Sequence, residues 1–135
     1  MDEVLTLEEL TELVTERPGL FLRFSKGPET DGAEASVDYE SGLELPGLSA
    51  TVLDPESWWT RPPQDWLARQ VCKYADLGQD GRRAWVLAGR VVAHGPDHEP
   101  LVVDAEPVAW LAERVVRQAR RRYHEAFEVG RDSTS

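Results

Sequence analysis

The sequence predicts an α+β fold: a single domain with a small, mainly antiparallel sheet packed by three helices. Three observations carry this. Two stretches repeat apolar residues at helical spacing, near the amino terminus and in the last quarter of the chain. A third, in the middle, opens on Pro62-Pro63. Between helices, a β-rich run from Arg83 to His94 meets a Gly95-Pro96-Asp97 turn and returns through Leu101-Val102-Val103, which is a hairpin pattern.

The first helix is read from Thr6 and Glu9, which have capping-box spacing. Leu7, Leu10, Leu13 and Val14 fall on one side of it and Glu8, Glu9, Glu12 and Glu16 on the other. Pro18-Gly19 stops it near Arg17. Leu20 to Ser25 alternates as a strand, with Leu20, Leu22 and Phe24 on one face and Phe21, Arg23 and Ser25 on the other. Lys26 to Val37 lacks apolar periodicity and is expected to be a long flexible loop. Residues 43–53 promise irregular structure with one short strand around Pro46-Gly47.

Asp54-Pro55-Glu56 resembles a helix cap followed by a single turn through Trp58 and Trp59. The helix opened by Pro62-Pro63 is expected to reach Leu77 and end at Gly78, with Leu67, Val71, Tyr74 and Ala75 inward. After the hairpin, Pro107 is read as the first residue of a long last helix. Its buried stripe is Val108, Leu111, Val115, Ala119 and Tyr123, and Gly130 ends it. Residues 131–135 should fray.

The 135 residues suit one domain with its own core. Fifteen basic against 25 acidic residues leave a net charge of -10, which argues against nucleic acid as a partner. No apolar run reaches membrane-spanning length, and the acidic start MDEVLTLEEL lacks a secretory pattern. The lone Cys72 has no cysteine to pair with, so a reducing cytoplasm is the expected compartment. Charge is divided along the chain: residues 1–60 carry 14 acids and 3 bases, residues 61–135 carry 11 acids and 12 bases. Halves of opposite character favour packing on each other, within one domain or across a homodimer.

The segments LFLRFSKGPETD, DYESGLELPGLS, WWTRPPQDWLARQ and RAWVLAGRVVAHGPDHEPLV resemble a family of small actinobacterial proteins of unknown function. The resemblance covers residues 5–132. It implies a single-domain cytoplasmic protein and brings no activity, ligand or catalytic residue with it.

Several constellations could carry function. Arg23, Ser25 and Lys26 stand at a strand end before an adjustable loop, a combination that suits a phosphate or carboxylate ligand. The structural alternative pairs Arg23 with Asp38 or Glu40. Trp58, Trp59, Arg61 and Trp66 surround the proline pair, either as a recognition surface or as a roof on the core. Trp110, Arg114, Arg117 and Arg121 would lie within about 60° on a last helix, forming an aromatic and arginine stripe for an anionic partner or a solvated face. His94, Asp97, His98 and Glu99 hold metal-ligating groups, but their place across a tight turn favours a solvated polar turn. Cys72 is expected to be a small core residue, not a nucleophile. No metal or cofactor is therefore expected.

Two functional classes follow. The favoured one is a non-catalytic binding or protein-interaction module working through the Trp and Arg surfaces, because no nucleophile–base set is visible. The alternative is a small enzyme or binder acting on an anionic or nucleotide-like ligand near Arg23. The order Arg23, a serine such as Ser36 or Ser41, then Glu99 resembles the Arg–Ser–Glu order of ADP-ribosyltransferases, whose paired acids are approximated by Asp97 and Glu99. An enzyme would gather these residues at one cleft, whereas an interaction module would present a flatter exposed patch.

Overall fold

A computed structural model describes residues 2–29, 47–73, 82–95 and 98–127. The elements run β1 (Asp2–Val4), α1 (Leu7–Glu16), β2 (Leu20–Ser25), β3 (Leu48–Ser49), β4 (Thr51–Val52), α2 (Pro63–Cys72), β5 (Arg83–His94), β6 (Pro100–Leu111) and α3 (Glu113–Phe127). The α+β expectation holds: among the described residues, three helices accompany one six-stranded sheet. Its order is β1-β6-β5-β2-β4, with β3 also paired to β6, and only β1–β6 is parallel.

Helix α1 starts where its cap chemistry demands. Thr6 Oγ1 accepts from the Glu9 amide at 3.1 Å. The Glu9 carboxylate reaches back one residue further than a capping box requires, accepting from the Leu5 amide at 2.7 Å. Leu7, Leu10 and Val14 are buried beneath it. Strand β2 spans the expected residues and alternates as expected. Leu20, Leu22 and Phe24 join the main core under the helices, with Val86, Ala109, Leu111, Leu67, Val71 and Val115. Phe21 joins a second cluster on the opposite face with Ala50, Trp85, Leu87 and Val102. Both faces of the sheet are therefore buried near its centre.

Other expectations need correction. Residues 54–59 form no helix; the segment makes one turn, closed by the Trp59 amide on the Glu56 carbonyl at 3.0 Å. Asp54 accepts instead from the Gly19 amide at 2.8 Å, tying two chain bends together. Helix α2 is described through Cys72, and its expected continuation through Tyr74, Ala75, Leu77 and Gly78 lies outside the described residues.

The largest correction concerns Pro107. It does not open a helix but sits inside β6, opposite Leu87, and α3 begins only at Glu113. The register jumps beside it, from Val86↔Ala109 to Leu87↔Pro107, so Val108 is a bulged residue. A bulge is one of the few places where a sheet tolerates a proline, which has no amide to donate. Val108 and Leu111 therefore bury from a strand, while Val115 and Ala119 bury from α3. The expected loop over 26–37 is described only to Glu29, and Gly130 and residues 131–135 also lie outside the described residues. No described helix is long and apolar enough to cross a membrane.

Candidate functional site

The sheet face opposite α1, α2 and α3 brings three separated segments together. Arg23 enters from β2, where its backbone pairs with Trp85. Ser49 enters from β3, and Glu99 from the loop joining β5 to β6. The Arg23 guanidinium donates through Nη1 to the Ser49 carbonyl at 2.6 Å. The Ser49 hydroxyl donates to Glu99 Oε1 at 3.3 Å. All three residues are part-buried.

Two glycines permit this arrangement. A Cβ on Gly47 would stand 2.9 to 3.0 Å from the backbone of Val102, so only glycine lets β3 lie this close to β6. A Cβ on Gly95 would run into the Glu99 carboxylate, which folds back over that glycine towards Ser49. The loop itself is closed by the Gly95 amide on the Glu99 carbonyl at 2.8 Å and the His98 amide on the Gly95 carbonyl at 2.9 Å.

The serine of this cluster is Ser49, whereas the sequence pointed to Ser36 or Ser41. Those two, with Asp38, Glu40 and Asp97, lie outside the described residues. A signal for Ser49 was present: it follows a Pro46-Gly47 turn in a short apolar stretch. Ser25 is part of the scaffold. It is buried, accepts from Trp85 Nε1 at 2.9 Å and accepts from the Gly27 amide at 3.1 Å. Lys26 is exposed. His94 and His98 are exposed, the latter with a left-handed backbone (φ 63°). Among the described residues, no group of three or more His, Cys, Asp or Glu side chains could hold a metal ion.

The aromatic knot forms around α2 and the end of α3. Trp59 and Trp66 meet edge to face at 5.1 Å, and Trp58 touches both at 6.0 Å. Trp66 is buried, while Trp58 is 63% exposed. Arg61 stacks over Phe127 at 4.7 Å and donates to the Ala126 carbonyl at 3.1 Å. Below it lies an ion pair that sequence reasoning missed. Asp65, whose side chain is 6% exposed, receives Arg122 Nε at 2.6 Å and Arg61 Nε at 3.4 Å. The Arg61–Asp65 spacing of one helical turn was the available signal.

The expected stripe of Trp110, Arg114, Arg117 and Arg121 does not exist as one helical face. Trp110 is on β6 and lies under the Arg83 guanidinium at 4.6 Å, while the three arginines are exposed on α3. Cys72 is part-buried at the end of α2, and burial raises its thiol pKa against a smaller opposing effect of Arg120. It is therefore a poor thiolate nucleophile.

Fold and site together define a small α+β domain with a cation–hydroxyl–carboxylate cluster on the sheet face opposite α1, α2 and α3. The chain belongs to the family of unknown function DUF6098, which it matches over residues 1–134. No curated protein and no solved structure matches it.

Proposed function

We propose that the protein acts on a nucleotide-like anion at the Arg23–Ser49–Glu99 cluster, as a small enzyme with an ADP-ribosyltransferase-like arrangement. The observation that carries this is the Ser49 bridge, which joins a cation and a carboxylate 76 positions apart in sequence. Arginine suits a diphosphate because its planar donors match phosphate oxygens. A serine hydroxyl on Glu99 holds the carboxylate in one orientation, as preorganised electrostatic stabilisation requires. That carboxylate suits the cationic sugar carbon of a glycosyl-transfer transition state.

The step balances without redox change. The bond from ribose C1′ to the pyridinium nitrogen of a dinucleotide breaks, and its electron pair leaves with neutral nicotinamide. Water or another nucleophile adds to C1′ and gives its proton to Glu99 or to solvent.

The test incubates the full chain with NAD and follows nicotinamide release, with ADP-ribose binding measured by calorimetry. Release should fall by about a hundredfold or more in Glu99→Gln, as when a group stabilising transition-state charge is removed. Neither release nor ADP-ribose binding by the wild type would overturn the reading.

A second reading, a non-catalytic interaction module, is favoured by the 63% exposure of Trp58 on a braced aromatic base. The two separate on one pair of variants. Under the enzyme reading Arg23→Ala abolishes ligand binding and Trp58→Ala leaves it unchanged.

A further inference from the structure

Helix α3 turns an arginine face to solvent. Arg114, Arg117 and Arg121 are all exposed and share one side at spacings of three and four. Among the described residues Arg114 and Arg121 have no carboxylate within ion-pair distance, and Arg117 has only Glu113 at 3.8 Å. Helix α1 presents the opposite charge. Glu8, Glu12 and Glu16 line one edge of an open groove of about 520 Å³, and none has a cationic partner among the described residues. Like charges one turn apart oppose their own helices. Both rows are kept at that disadvantage although the chain contains the means to neutralise each.

We infer that these two rows meet between copies: the arginine face of α3 in one protomer lies along the glutamate row of α1 in a second copy of this chain. The rows match in length, since seven and eight residues of helix span about 10.5 and 12 Å. Both faces are on every copy, so a two-fold dimer makes the contact twice and leaves neither row open. A net charge of -10 repels two copies in general, so association requires local complementarity of this kind. The inference does not depend on the Arg23–Ser49–Glu99 reading, and either can fail alone.

The test is sedimentation of the full chain in about 0.1 M and about 1 M salt, where the screening length falls from roughly 10 to 3 Å. A dimer is expected in the first buffer and a monomer in the second. Reversing the acidic row (Glu8→Arg, Glu12→Arg, Glu16→Arg) or the basic row (Arg114→Glu, Arg117→Glu, Arg121→Glu) should weaken dimerisation by about a hundredfold or more. An equimolar mixture of the two reversed chains should restore it, because both contacts become complementary again. Should a reversed chain fail to melt cooperatively, the same rows neutralised to Gln take its place, and loss of the dimer is again expected. A monomeric wild type in about 0.1 M salt, a dimer indifferent to reversal, or a mixture that stays monomeric would each overturn the inference. A ladder of larger species would overturn the two-fold closure.

Discussion

Among the described residues, two clusters that each contain an arginine and a carboxylate are built in opposite ways. At the α2–α3 junction Asp65 is buried and both of its oxygens face guanidinium groups, Arg122 at 2.6 Å and Arg61 at 3.4 Å. On the far face of the sheet, Arg23 and Glu99 are part-buried and Ser49 stands between them, taking the cation on its carbonyl and the acid on its hydroxyl. A closed pair satisfies itself and holds two helices together. In the second cluster a small polar residue stands between cation and acid, taking each on a different atom. The contrast is one of geometry rather than of residue type, and it is what the proposed function at Arg23 and Glu99 rests on.

The largest effect should come from breaking the closed pair. Arg122→Ala leaves the buried Asp65 carboxylate with only the longer Arg61 contact. The expected loss is about 3 kcal/mol, or about 10 °C in melting temperature, read by thermal denaturation. A loss under about 1 kcal/mol would show that Arg61 alone compensates Asp65, and the contrast would weaken.

How far these sites were legible differs for physical reasons. Strand β2 and the 12 residues of β5 obey local rules, so Arg23 and its face could be read directly. The Pro46-Gly47 turn marks the stretch that holds Ser49 but not its role, which depends on β3 pairing with β6 and on a contact to Glu99 50 residues away. Strand β1 was missed since three residues, Asp2 to Val4, carry no period and pair in parallel with β6 from the other end of the chain. Pro107 misled because a proline after polar residues opens helices, and the bulge that admits it to β6 is a tertiary feature. That single misreading joined Trp110 to the α3 arginines and produced a stripe that the strand boundary breaks.

The second cluster should respond differently to the loss of its cation. Arg23→Ala removes, with its other contacts, a bond to a part-buried carbonyl, so a stability loss of at least about 1 kcal/mol is expected. Loss of ADP-ribose binding should accompany it, and wild-type affinity in the variant would remove Arg23 from the site. A loss near that of Arg122→Ala, with no ligand effect in the wild type, would make both sites structural.

Gly95→Ala sharpens the comparison with a smaller change. The new methyl meets only the end of the flexible Glu99 side chain, which can swing away, so stability should change by less than about 0.5 kcal/mol. The carboxylate then leaves the Ser49 hydroxyl, and turnover should fall about tenfold while ADP-ribose binding through Arg23 persists. Unchanged turnover would mean that the Ser49–Glu99 contact does not orient the acid.

The smallest effect is expected at Trp58, the exposed rim of the closed site. Its neighbours are well supported without it: Trp59 donates through Nε1 to the Pro62 carbonyl at 3.2 Å, and Trp66 is packed in the main core. Trp58 adds only ring-edge contacts at 6.0 Å, with 63% of its surface already in water. Little apolar area returns to solvent when it is removed, so Trp58→Ala should shift stability by no more than about 0.5 kcal/mol. Thermal denaturation beside Trp66→Ala gives the scale, since truncating that buried ring should cost about 3–5 kcal/mol. If Trp58→Ala instead destabilised the fold by more than about 1 kcal/mol, the ring would be part of the core and the interaction reading would lose its surface.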